Sequence, residues 1–238
     1  MEIGRRPICP ATLGGMPRRD IDFTKHLIAM SVSMREPRWP ALLAMLAAAG
    51  VFWALPEPLS LGPGWLLLVV IVVLMIPIVI TNSRGYFKIT RMLTFAALGL
   101  ITVAMIASII FLIQGIPLHR EMPRALLRSA LALWITNILV FALWYWKLDA
   151  GGPLGRDHAR CKIASAFLFP QLSGDRQEYA GWSPQFLDYL FVAFNTSTAF
   201  SPTDTAVLSR WAKVATMLQS LISLSILVLL AARAVNIL

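Results

Sequence analysis

Five stretches of this chain are so apolar, and so nearly free of charge, that water is the wrong solvent for them. They cover residues 40–55, 65–80, 92–113, 125–146 and 214–232. A helix needs about 20 apolar residues to cross the hydrocarbon core, with a range of about 17–25. The last three stretches meet that length, and the first two reach it only with their flanking residues. Overall 58% of the 238 residues are hydrophobic and 14% are charged, against about 45–50% and about 25% in a soluble domain. Too little polar surface remains to wrap a water-soluble core. The expected fold is an all-α integral membrane protein with about five transmembrane helices, multi-pass, with the lipid bilayer as its first partner.

The net charge of +9 carries no nucleic-acid signal in such a chain. Basic residues beside apolar spans sit at lipid headgroups or on the cytoplasmic side. Residues 1–39 hold Arg5, Arg6, Arg18, Arg19, Lys25, Arg35 and Arg38 without an apolar core of a secretory signal. A disordered basic tail is expected, and Met30 or Met34 offers an alternative start. Arg120, Arg124 and Arg128 stand four apart before the fourth span and form one basic stripe on a helix, placed to grip anionic headgroups. Trp39, Trp53, Trp65, Trp144, Trp146 and Trp211 flank the spans, as in the aromatic belt at the membrane interface.

Enzyme chemistry has little to work with. Cys9 and Cys161 are isolated thiols, and His26, His119 and His158 are scattered, so no metal site and no cofactor is expected. No phosphate-binding glycine loop or hydrolase motif occurs. Asp204 and His158 are the only acid–base pieces, and nothing pairs them. Residues 147–182 read as a long loop broken by Gly151, Gly152, Pro153 and Gly155, with an apolar stretch at 164–169 that dips into the interface.

The segment 182–213 is the informative one. Ser183 reads as an N-cap and Pro184 as a first helical residue. Phe186, Leu187, Leu190, Phe191 and Phe194 give a helical apolar face that ends at Asn195, Thr196, Ser197 and Thr198. A helix of about a dozen residues cannot cross the bilayer. A short helix, a polar turn and then a full span together suggest a re-entrant loop. The irregular backbone of such a loop must be buried in protein or line water, and its carbonyls suit a cation.

Asp188, Leu190, Phe191, Phe194, Thr196, Thr198 and Asp204, followed by 208–212 (L-S-R-W-A) and an ending A-A-R-A-V-N at 231–236, resemble the pore module of the bacterial two-span potassium-channel superfamily. The resemblance covers about sixty C-terminal residues. It implies an outer helix at 125–146, a loop at 147–182, a re-entrant helix at 183–198, a filter-like turn at 199–205 and an inner helix at 208–236, after a three-helix region at 40–118. It further implies a homo-oligomer, a tetramer, with Thr196, Ser197, Thr198, Ala199, Phe200, Ser201, Pro202, Thr203 and Asp204 at the pore for a monovalent cation. Gln219 and Ser223 are candidates to line the inner helix, Gln219 where a contact to the pore helix would fall and Ser223 where the family tends to place a hinge glycine. The family's filter, T-V-G-Y-G, is here 199–203, A-F-S-P-T. Both glycines, which permit the dihedrals that turn carbonyls to the ion, are gone, and Pro202 removes an N–H.

The expected function is therefore ion-channel-like, with altered or lost potassium selectivity, in a bacterial inner membrane. The alternatives are a non-conducting structural or interaction protein that keeps the pore-like fold, and a small-solute transporter. On orientation two signals conflict. Basic residues in the tail and at Arg84, Lys88 and Arg91 favour those segments inside, whereas the resemblance implies the C-terminus inside. With five spans both cannot hold. The C-terminus-inside orientation is the one expected here, with either the N-terminus outside or one early segment that does not cross.

Overall fold

The computed structural model describes residues 38–55, 62–115, 123–153, 156, 165–172, 182–199 and 204–235. The tail 1–37, with Cys9 and His26, lies outside that set, as do His119, His158 and Cys161. Six helices carry the fold: α1 (Trp39–Val51), α2 (Gly64–Ser83), α3 (Phe87–Gly115), α4 (Pro123–Leu148), α5 (Phe186–Thr198) and α6 (Arg210–Val235). Four of them, α2, α3, α4 and α6, are long and apolar enough to cross a membrane. Two two-residue strands, β1 (Phe167–Leu168) and β2 (Ala206–Val207), pair antiparallel.

The first expected span is short in residues. α1 has 13, continued by a three-residue 3-10 helix at Phe52–Ala54, together about 26 Å at about 1.5 and 2.0 Å per residue. It nevertheless lies along the whole of α2. At one end the Arg38 guanidinium donates to the Asn82 side-chain carbonyl at the end of α2. At the other, Gly64 at the start of α2 comes so close to Phe52 that an added Cβ would sit 2.8 Å from its carbonyl oxygen. A side chain there would push the two helix ends apart.

α4 is the central helix and packs against α1, α3, α5 and α6. The starts of α1, α3 and α6 therefore lie at one end of the bundle with the ends of α2 and α4, and the starts of α2 and α4 lie at the other with the end of α6. The expected interfacial dip at 164–169 has a different form, with Ala164 outside the described residues. Phe167 is fully buried and its ring meets Tyr145 at 5.1 Å, Tyr189 at 6.0 Å and Trp211 at 6.1 Å. Each such aromatic pair is worth about 0.5–1.5 kcal/mol beyond the area it buries, so this ring ties the long loop to three helices.

Two of the belt tryptophans also differ from expectation. Trp39, Trp53, Trp65 and Trp211 are exposed, but Trp146 is buried, and Trp144 donates through Nε1 to Thr102 Oγ1 at 3.0 Å. They hold helices together, Trp144 through its N–H and Trp146 through its ring, which packs on Phe186 of α5.

Candidate functional site

α5 begins two residues later than the sequence suggests. Its N-cap is Gln185, whose side chain accepts from the Asp188 backbone N–H, while Asp188 Oδ2 accepts from Gln185 N–H at 2.7 Å. This reciprocal pair satisfies two orphan N–H groups at once, which a single Ser183 hydroxyl does not. Burial raises the Asp188 carboxyl above its ordinary range, partly opposed by the N–H groups of Gln185 and of Asp188 itself.

The helix is also turned relative to its aromatic stripe. Leu187, Phe191 and Phe194 are exposed, and the buried face is Phe186, Tyr189, Val192, Ala193, Thr196 and Ser197. Lipid accommodates phenyl rings at little cost but offers hydroxyls no partner, so the polar side turns inward.

α5 runs antiparallel to α4 from one end to its middle. Phe186 packs on Trp146 with ring centroids 6.0 Å apart, and Phe194 packs on Trp134 at 6.3 Å. The twelve residue steps from Trp134 to Trp146 span about 18 Å of a helix about 39 Å long. The chain then comes back: β2 pairs with β1, and Leu208 N–H donates to Ala166 O at 2.8 Å. The seven steps from Ala199 to Ala206 reach at most about 25 Å, enough to cover that height once.

A buried polar network fixes the inner end of α5. Gln219 of α6, fully buried, donates through Nε2 to Ala193 O at 2.7 Å and to Ser197 Oγ at 2.8 Å. Its Oε1 accepts from Tyr145 Oη at 2.6 Å. One turn further along α6, Ser223 Oγ accepts from Asn137 Nδ2 of α4 at 3.2 Å. Ser220 Oγ donates to Thr196 O at 3.4 Å. Three polar atoms buried in these helices have no partner among the described residues: Asn137 Oδ1, Trp134 Nε1 and Asn195 Nδ2.

The outer end is held by Asp149, also fully buried. Its carboxylate accepts from Tyr189 Oη at 2.6 Å, from Ser165 Oγ at 2.7 Å and from Ala166 N–H. Arg156 donates to the carbonyls of Asp149 at 3.0 Å and Trp146 at 3.1 Å, and its guanidinium lies 5.2 Å from the Tyr189 ring centre.

The expected pore residues divide three ways. Thr196 and Ser197 point into the chain, with Thr196 Oγ1 donating to Val192 O at 2.8 Å. Thr198, Ala199 and Asp204 are exposed, with Thr198 Oγ1 donating to Phe194 O at 3.0 Å. Phe200, Ser201, Pro202 and Thr203 lie outside the described residues. Gln219 and Ser223 are fully buried, Gln219 facing α4 and α5 and Ser223 facing α4. Of the arginine stripe, Arg128 is exposed, Arg124 lies in the first turn of α4 without a described side chain, and Arg120 lies outside the described residues.

Asn137, Tyr145, Asp149 and Tyr189 were not singled out by sequence reading. An Asn inside an apolar span was the available signal. Asp149 gave none, because it falls where the span ends and the loop begins. Among the described residues no group of three His, Cys, Asp or Glu side chains is placed to hold a metal. No family model, no curated protein and no solved structure matches this chain.

Proposed function

We propose that the C-terminal half is a pore-loop module: α4 as outer helix, α5 as re-entrant helix, residues 199–205 as the turn and α6 as inner helix. Several copies, four by the resemblance to potassium channels, would enclose a path for monovalent cations without potassium selectivity. The observation that carries this is the half-height course of α5, clamped at its inner end by Gln219 and followed by a return to the same end. Thr198, Ala199 and Asp204 are exposed in the single chain. Irregular backbone at that depth is tolerated only against protein or water, so neighbouring copies and a wet axis are the natural cover. The filter has no glycine, which is why the reading drops potassium selectivity.

The orientation we propose reverses the one expected from the resemblance. α1 lies beside α2 from end to end, so the start of α1 shares an end with the α2–α3 turn and the mouth of the loop. That end carries Arg38, Arg84, Lys88 and Arg91, then Lys147 and Arg156, then Arg210 and Lys213; the far end has Arg124, Arg128 and Arg233. The excess of Lys and Arg marks the cytoplasmic side, which puts the mouth of the loop inside the cell and the C-terminus outside.

A second reading, a pore-like fold that conducts nothing, is favoured by one observation: the hydroxyls of Thr196 and Ser197 are already committed within the chain. Purified protein in planar bilayers separates the two. The channel reading expects cation current with little preference for potassium over sodium, altered by Thr198→Ala. No current under any cation gradient, from particles shown to be intact, would leave the non-conducting reading.

A further inference from the structure

A cleft of about 140 Å3 opens at the basic end, between the start of α1, the end of α2, the start of α3 and the end of α4. That is far above the ~10–15 Å3 needed for one water. Its polar wall is formed by Arg38, Asn82, Thr90 and Lys147, and its apolar wall by Leu42, Met45 and Ile78 along the α1–α2 seam. Leu42 and Asn82 are half-buried and Val79 is exposed at the rim, so the cleft is reachable from outside.

Lys147 is the anomaly. It is 8% exposed, yet its ammonium has neither a hydrogen-bond acceptor nor a carboxylate among the described residues; it lies over the Phe95 ring, 5.9 Å from the ring centre. The charges acting on it are those of Arg38, Arg91 and Arg156, all of its own sign. Arg91 leans on the same Phe95 ring at 5.6 Å, and Arg38 is fixed at the cleft by Asn82. A cation largely shielded from bulk water and crowded by its own sign is costly, and an anion in the cleft lowers that cost. Three ammonium donors beside an arginine suit phosphate oxygens.

We propose that this cleft binds the phosphate of an anionic phospholipid, with an acyl chain along Leu42, Met45 and Ile78. The apolar wall continuing from the charged one is what favours a lipid over a free phosphate. The site lies at the end with the basic excess, where anionic headgroups concentrate at a cytoplasmic leaflet.

Native mass spectrometry of the full chain in mild detergent, titrated with phosphatidylglycerol, with phosphatidylcholine and with inorganic phosphate, tests this. Wild type is expected to retain phosphatidylglycerol in preference to phosphatidylcholine, and Lys147→Gln to weaken that retention about tenfold, the effect of losing a charge-assisted hydrogen bond. Leu42→Trp keeps every charge, blocks the seam and is expected to weaken lipid binding while sparing inorganic phosphate, so it decides the matter even if Lys147→Gln fails to fold. Arg84→Gln, exposed at the same end but outside the cleft, is expected to change nothing. Equal binding of the two lipids, or lipid retention unaffected by Leu42→Trp, would overturn the proposal. Displacement of phosphatidylglycerol by inorganic phosphate at matched concentration and ionic strength would overturn the lipid assignment.

Discussion

The α2–α3 hairpin and the α4–α5–α6 group are built on opposite logics. α2 has mean hydropathy 2.9, and 11% of its most apolar stretch is buried; α4 has mean hydropathy 1.6, and 56% of its stretch is buried. In water the more apolar helix would be the more buried. Here lipid takes the apolar surface, and the protein interior takes the groups lipid cannot satisfy: Asn137, Tyr145, Gln219, Ser223 and Asp149. α3 lies between, tied to α4 by the hydrogen bond from Trp144 to Thr102 and by the Phe95 ring packed on Trp144 at 5.9 Å. The least apolar helix is thus the central one. α6 departs from the trend, with mean hydropathy 2.2 and 22% burial, and its exposed face of Val214, Met217, Leu221 and Val228 is surface available to another copy.

This contrast can be broken most forcefully at Gln219. Gln219→Leu orphans Tyr145 Oη and removes the donor to Ala193 O and Ser197 Oγ, and should cost about 2–4 kcal/mol: a buried group left unpaired costs about 1–3 kcal/mol, and each further hydrogen bond lost about 0.5–1.5 kcal/mol. Thermal unfolding in detergent reads this as a large fall in Tm; a fall of a degree or less would mean the network is ornamental. Next comes Asp149→Asn, which turns a carboxylate holding three donors into an amide with donors of its own. About 2–3 kcal/mol is expected, along with proteolytic opening of the loop that β1 anchors; resistance equal to wild type would argue that Phe167 alone holds the loop.

Smaller effects sharpen the same comparison. Trp144→Phe removes the α4–α3 bond and should cost about 0.6 kcal/mol, the average for side-chain hydrogen bonds between membrane helices. Val73→Ala, on the exposed face of α2, should shift stability by less than about 0.5 kcal/mol. A larger loss at Val73 than at Trp144 would mean that α2 packs on a partner chain and not on lipid.

Much of this architecture can be read in the residues. The four long apolar helices, the short helix before the last one and the contact between Gln219 and that helix follow from apolar length, helix punctuation and the oddity of an amide in an apolar run. What misleads is intuition carried over from soluble proteins. The Leu187–Phe191–Phe194 stripe looks like a core face and is exposed, because rings are at home in lipid and Thr196 and Ser197 are not. Ser183 looks like the cap, and Gln185 takes that place because only it closes a reciprocal bond with Asp188. Asp149 and Phe167 sit in a segment that reads as loop, and their partners Tyr189 and Tyr145 are too distant in sequence for local pattern to reveal. Which basic segments share an end of the bundle follows only from three-dimensional neighbours, through the course of α1 along α2.

Single-cysteine labelling across the loop, after Cys9→Ser and Cys161→Ser, probes the half-height course of α5 most directly. With a bulky membrane-impermeant reagent, Ser183→Cys and Leu208→Cys should label from the same side of sealed vesicles, and Ala193→Cys from neither. Labelling of Ser183→Cys and Leu208→Cys from opposite sides, or ready labelling of Ala193→Cys, would contradict a helix that enters the bilayer and turns back.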